Sequence, residues 1–422
     1  MSDDALTPIP VSLLSPVFGQ FSADLKDSHH HNNHNISSSS LLSLSSQDFV
    51  FVLEVTETLS RAFLDENGRL HAFRRLFEDY IGQDLMLAAD DDNGSRTDAS
   101  LYYRSSSSNS SRSVMCCHLE VRGEGRSHSG DEDLTMKAVA VYIKSLPAKE
   151  KQLQPRQQFP CFLLELSGTT FSVSGVLSTD AQIVCNPLSP SYRLLNDPEP
   201  LMAMSMARLF AALKKSIQSL TSSDLSLPPP SSFPFLTTFR CLSSGEEYSF
   251  QYKQRLSGRL VFSGEILPSG PEIVIKFCQS YSSEVHSYCH SKGFAPALKA
   301  VHRVGDYVFV VMEKLELRTL SNKDLAEEGV QDQLTLILEA LKAKEYVHGD
   351  MRGNNIQFDS AANRVVLIDF DWAGVEDEAV YPAFMNPNLG WPEGAAYGRP
   401  LRHEHDVWWV KASFRATQYA IW

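Results

Sequence analysis

The sequence predicts two folded parts, a small α/β domain in the first half and an α+β domain in the second. Three observations carry this. Helix-like and strand-like apolar periods alternate through both halves, a serine- and proline-rich break separates them, and 43% of the 422 residues are hydrophobic, enough for real cores. The formal net charge of -13 argues against a general binder of phosphate backbones, which needs clustered Lys and Arg to displace counterions; a local basic groove stays open.

The seven cysteines (Cys116, Cys117, Cys161, Cys185, Cys241, Cys278, Cys289) show no C-x-x-C pair and mostly sit in apolar runs. Buried thiols in a reducing compartment are expected. The chain opens without a basic segment followed by an apolar one, and no run approaches the roughly eighteen apolar residues of a membrane span. The expected location is intracellular, in cytoplasm or nucleus, with no membrane partner.

Residues 1–46 read as a disordered tail, because HHHNNHNISSSSLLSLSS cannot bury enough apolar area to offset its ordering entropy. Its His29, His30, His31 and His34 read as exposed tail rather than metal ligands. An α/β domain follows over 47–220. Leu70, Phe73, Leu76, Phe77 and Tyr80 recur at helix spacing, and SVMCCHLEVRG reads as a strand. A helical segment at Asp131 to Ser145, strands FLLELSG and TTFSVSGVLS, and a helix from Leu201 to Leu220 complete it. Polar stretches at Asp90 to Thr97 and Ser105 to Arg112 read as loop insertions. The order of helix, strands bearing Asp98 and Glu120-Val121-Arg122, helix and strand resembles the restriction-endonuclease-like fold. That resemblance implies a divalent metal held by Asp98 and Glu120, with Arg122 where the family carries a lysine that helps position the attacking water. An always-protonated guanidinium cannot accept a proton. Three readings stand: an unrelated α/β domain whose Glu120 and Arg122 share one strand face, an inactive nuclease-like relic, or an active nuclease, with nucleic acid a partner only through this domain.

Residues 221–235, with LPPPSSFP, read as a linker. Beyond it, EIVIKFC (Glu272 to Cys278) alternates around Lys276 as a strand does, and YSSEVHSYCHSKG is helical with Glu284 in its first turn. YVFVVMEKL reads as a buried strand ending in a polar pair, and Leu334, Ile337, Leu338 and Leu341 stripe a helix over Gln331 to Glu345. That helix leads into VHGDMRGNNIQF, and the apolar strand Val365 to Ile368 leads into Asp369-Phe370-Asp371.

These last motifs resemble those of the protein-kinase-like superfamily over residues 236–422, with an N-lobe at about 236–315 and a short C-lobe at about 316–422. V-I-K resembles the strand lysine, H-G-D with Asn355 five residues on resembles the catalytic loop H-R-D-L-x-x-x-N, and Asp369 matches the aspartate of D-F-G. The group most similar is the fungal-type kinases related to Crinkler-associated kinases; the aminoglycoside-phosphotransferase-like branch shares H-G-D. The resemblance implies a two-lobed α+β fold and an ATP- and Mg2+-dependent phosphotransferase acting on Ser or Thr of a protein or on a small-molecule hydroxyl. Asp350 would orient the acceptor and take its proton. Arg352 stands where kinases carry a lysine near the transferred phosphate. Asn355 and Asp369 would hold magnesium, Lys276 would contact the phosphates of ATP, and Glu284 would pair with Lys276. Asp406, opening a D-x-W helix, would brace the catalytic loop. The departures are a missing G-x-G-x-x-G, although Gly258 and Gly264 flank a turn, Gly349 for arginine, Asp371 for glycine, no A-P-E, and a sequence that stops one helix after Asp406. They keep a second reading open, a pseudokinase or nucleotide-binding module.

Overall fold

The computed structural model describes residues 7–26, 42–87, 98–104, 113–123, 133–146, 158–222 and 231–419. They fall into two compact units, one over Pro8–Leu236 and the other made chiefly of the residues from Thr237 onward. The histidine-rich tract, the two polar insertions and Pro228, Pro229 and Pro230 lie outside the described residues.

The N-terminal unit begins earlier than residue 47. Helices α1 (Val11–Leu14) and α2 (Pro16–Asp24) correct the expectation of a tail running to residue 46. Val11, Leu14, Val17, Phe18 and Phe21 present one apolar stripe, and all five are buried. Phe18 meets the ring of Phe162 edge-on at 5.0 Å. The strand beneath it carries Gly175, where a Cβ would come within 3.1 Å of Phe18 and 2.8 Å of Leu188, so only glycine lets the helix approach. The linker is also shorter than 221–235, since Phe235 N donates to Leu13 O at 2.8 Å and Pro234 is buried.

Helices α3 (Ser46–Leu59) and α4 (Glu66–Ile81) precede strands β1 (Met86–Leu87), β2 (Asp98–Arg104) and β3 (Ser113–Arg122). After α5 (Leu134–Ser145) come β4 (Cys161–Ser167), β5 (Thr170–Ser178), β6 (Ile183–Pro187), β7 (Tyr192–Arg193) and α6 (Pro200–Thr221). The sheet runs β1-β2-β3-β4-β5-β6, with β7 beside β5. Among the described residues of this sheet only the β3–β4 pair is parallel, and α5 makes the crossover such a pair requires. Alternation along β3 sorts its side chains. Cys117, Leu119 and Val121 join the core with α3, α4 and α6, while His118 and Glu120 point to the other face, on which α5 lies.

The C-terminal unit opens with β8 (Thr238–Arg240), β9 (Glu247–Arg255), β10 (Val261–Ile266) and β11 (Glu272–Cys278), then α7 (Ser283–Ser291), β12 (Leu298–Val304) and β13 (Tyr307–Glu313). These strands form one sheet in the order β12-β13-β11-β10-β9-β8, so β11 and its Lys276 are central. The remainder comprises β14 (Leu317–Thr319), α8 (Asn322–Ala326), α9 (Glu328–Lys342), β15 (Tyr346–Val347), β16 (Ile356–Asp359), β17 (Arg364–Leu367), β18 (Gly374–Val375) and α10 (His403–Tyr419). Its core gathers Leu334, Ile337 and Leu341 of α9 with Ile356, Val365, Leu367, Phe370 and Val410. The α9 stripe is the one its sequence period announces. Among the described residues no helix is long and apolar enough to cross a membrane.

Phe18→Ala should cost the N-terminal unit about 3–5 kcal/mol, because the cavity between α2 and the sheet cannot fully close. Urea unfolding followed by a probe in that unit measures it. A loss below ~1 kcal/mol would return α2 to the status of a loosely attached tail.

Candidate functional site

The loop between β15 and β16 carries His348, Gly349, Asp350, Arg352 and Asn355. It is held from beneath by Asp406 of α10, whose fully buried carboxylate accepts from His348 N at 2.7 Å and Gly349 N at 3.0 Å. The bracing expected of Asp406 is therefore present. Burial drives its pKa up to about 7, against the pull of the two amides. Gly349 adopts φ +77°, and a Cβ there would lie 2.8 Å from the Leu401 side chain, so any other residue here would be strained and Leu401 would have to shift.

Asp350 is 5% exposed, and Arg352 grips it through Nε at 2.5 Å and Nη2 at 2.7 Å. Asn355 Nδ2 donates to the Asp350 carbonyl at 2.9 Å and to its Oδ2 at 2.8 Å. With the amide nitrogen so committed, its carbonyl oxygen is left as the atom a hard cation takes. Ile368 N donates to Asn355 O at 3.0 Å, which ties this loop to the strand end that delivers Asp369.

Asp369 sits at φ +69°, a left-handed conformation that is uncommon for an aspartate and recurs where side chains are aimed for function. Lys276 Nζ donates to its Oδ1, and Arg259 reaches its Oδ2 at 3.2 Å from the β9–β10 turn. Lys276, 6% exposed, also donates to Asp371 Oδ1 at 2.5 Å. Burial lowers the lysine's pKa, but the two carboxylates outweigh it and leave the ammonium favoured. Burial likewise raises both aspartates, yet Lys276 and Arg259 hold Asp369 below the usual carboxylate range, while Asp371, beside that charged carboxylate, stays above it.

Of the six residues assigned from sequence, Asp350, Arg352, Asn355, Asp369 and Lys276 take their places in these contacts. Glu284 does not. The α7 residues Val285, His286 and Cys289 face the core, and Glu284, about 200° around the helix from His286, points outward. Its carboxylate accepts from Tyr346 Oη at 2.6 Å. Sequence reasoning assigned no role to Arg259 and treated Asp371 only as a lost glycine, although its place two residues after Asp369 was the available signal. The polar pair ending β13 is already engaged, Glu313 accepting from Ala297 N at 3.2 Å and Lys314 donating to Glu272 at 2.5 Å.

The N-terminal unit holds a second cluster. Asp98, His118 and Glu120 offer ligand atoms within 4.8 Å of one another. Glu120, fully buried, pairs with His118 Nε2 at 3.0 Å and with Lys137 Nζ of α5 at 2.8 Å. Glu165 of β4 lies beside Glu120 in the parallel β3–β4 register; burial raises its pKa although Thr135 Oγ1 donates to it at 2.6 Å. His118 and Lys137 were not legible, and the lysine stands on the crossing helix, not at position 122.

No family model matches the chain, and no curated protein matches it. Among solved structures, the Cydia pomonella granulovirus kinase PK-1 is similar at 16% identity with a TM-score of 0.33, over 40% of this chain and 69% of that one. A likeness of that size carries no argument about chemistry.

One titration follows from the packing around Phe370. His286 stacks on that ring at 4.5 Å, receives Tyr281 Oη on Nδ1 at 2.6 Å and donates Nε2 to Pro296 O at 2.9 Å. Burial lowers its pKa to about 4. The unfolded chain takes this proton near pH 6.5 and the folded one resists it, so stability is complete above 6.5 and falls as pH drops towards 4, by up to about 3 kcal/mol. His286→Phe should flatten that part of the pH dependence in urea unfolding of the C-terminal unit. An unchanged slope would show that His286 protonates freely in the fold.

Proposed function

We propose that the C-terminal unit is a two-lobed, protein-kinase-like phosphotransferase that uses ATP and magnesium to phosphorylate a hydroxyl, most simply Ser or Thr of a protein. The observation that carries this reading is the convergence of Asp350, Asn355, Asp369 and Lys276, drawn from a central strand, a braced loop and a strand end. Phosphoryl transfer asks the protein mainly for position and charge, and these are the groups that supply both.

Asn355 Oδ1 and the Asp369 carboxylate form an oxygen donor set that fits magnesium. Held there, a magnesium ion would supply positive charge to the nucleotide's phosphates. Lys276, already charged, meets the α- and β-phosphates. Asp350 takes the proton of the acceptor hydroxyl as its oxygen bonds the γ-phosphorus and the bond to the ADP oxygen breaks. Arg352, which grips Asp350 in the resting site, turns its charge to the transferred phosphate and frees the aspartate. Gly349 removes the arginine that reads a phosphorylated loop, so the reading includes no phospho-switch.

Mg-ATP at about one hundred times its dissociation constant should stabilise this unit by about 2.7 kcal/mol, seen as a rise in unfolding temperature that Asp369→Ala abolishes. Asp350→Asn should keep the rise and lower turnover by about a hundredfold or more. A wild-type chain that binds Mg-ATP without turning it over is instead a nucleotide-binding module, and one with no shift defeats the reading.

A second reading attaches to the N-terminal unit, where the Asp98, His118 and Glu120 cluster supports a divalent-metal centre of nuclease-like type with nucleic acid as partner. In the Asp369→Ala background, Mn2+ should still bind one site by calorimetry, and Glu120→Gln should remove it. Magnesium-dependent DNA cleavage lost in Glu120→Ala extends the reading to catalysis; no Mn2+ binding in the parent background rejects it.

A further inference from the structure

Asp371 is an ionisable group of the candidate site to which the proposed reaction gives no task. It stands beside Lys276 at 2.5 Å, its side chain 19% exposed and the lysine's 8%. The backbone around it is fastened twice. Ser280 Oγ donates to Asp371 O at 2.7 Å, and Ser282 N donates to Phe370 O at 3.0 Å. Between the two aspartates, Phe370 is fully buried, stacked on His286 and 5.1 Å from the ring of His348. Both carboxylates are thus presented to Lys276 by one anchored tripeptide.

The two aspartates cannot serve alike once nucleotide arrives. A carboxylate turned to a magnesium ion gives up much of its hold on a neighbouring ammonium, and the ammonium then needs a second anchor to stay where the α- and β-phosphates meet it. Glu284 is no substitute, because it is exposed and bonded to Tyr346. We propose that Asp371 is the positioning residue for Lys276, retaining its ammonium group while Asp369 turns to the metal and nucleotide. The lysine then takes its place from the segment that also carries the metal ligand, and its placement does not depend on a carboxylate from α7. The catalytic part of this inference rests on the phosphotransferase reading; the pairing of Lys276 with Asp371 does not.

Two double-variant cycles on the full chain test it, Lys276→Met with Asp371→Asn and Lys276→Met with Glu284→Gln. Each is read by thermal unfolding without nucleotide and by hydrolysis of Mg-ATP. In unfolding, Lys276→Met and Asp371→Asn together should lower the midpoint by clearly less than the sum of their separate losses, because the double variant leaves neither partner stranded. The Glu284 cycle should be additive. In turnover, Asp371→Asn should lower kcat at least tenfold with KM for ATP moved less than threefold, Asp371→Glu should recover part of the loss, and Asp371→Asn should cost nothing further in the Lys276→Met background. Additivity with Asp371 and coupling with Glu284 would overturn the proposal. So would a tenfold rise in the magnesium needed for half-maximal turnover that persists in the Lys276→Met background, since Asp371 would then be a metal ligand. Coupling with Asp371 in a wild-type chain that neither binds nor hydrolyses Mg-ATP would uphold the pair and sink the phosphotransferase reading alone.

Discussion

A charge taken out of water must find an opposite charge or enough hydrogen bonds, and the contact of Lys276 with Asp369 and Asp371 is where that constraint bears hardest. Breaking such a buried set by deleting one partner typically costs about 3–5 kcal/mol, so the ammonium fixes where the end of β17 and the centre of β11 come together. Much else follows from keeping that contact in register. Phe370 fills the space between His286 and His348, and His286 stays neutral to do so. Asp406 is held by two loop amides.

The same constraint organises the N-terminal unit by a different route. Glu120 is fully buried on a strand whose other face is apolar, and it is compensated by a histidine two residues before it and a lysine on the crossing helix. The cost of burying such a group is several kcal/mol before compensation. A protein that needed only stability would place an apolar residue there. Asp98, His118, Glu120 and Glu165 lie on one sheet face, and this grouping is the observation on which the metal-centre proposal rests.

Much of the fold was legible where a local pattern leaves little choice. The α9 stripe, the alternation of β11, and the helix of Leu70, Phe73 and Tyr80 are one-dimensional signals, and the elements formed where they lie. The errors fell where a local signal was weak or borrowed. Residues 11–24 are short helices next to a polar tract, and their burial depends on a sheet more than a hundred residues away. Glu284 was assigned by position in a motif, whereas the phase of α7 decides which way its side chain points.

By itself the sequence placed Lys276 on a strand, the H-G-D loop with Asn355 after a helix, and Asp369 at the end of an apolar strand, because apolar alternation and short spacings are local signals. It also determined the bracing aspartate at the head of α10. Only the tertiary structure decided which carboxylate the lysine meets, since Lys276 is 95 residues from Asp371 and eight from Glu284, and proximity along the chain favours the wrong one. Only it brought Lys137 to Glu120 and set Arg259 on Asp369. Charge pairing inside a protein is chosen by which side chains are buried together, and burial is a property of the packed whole.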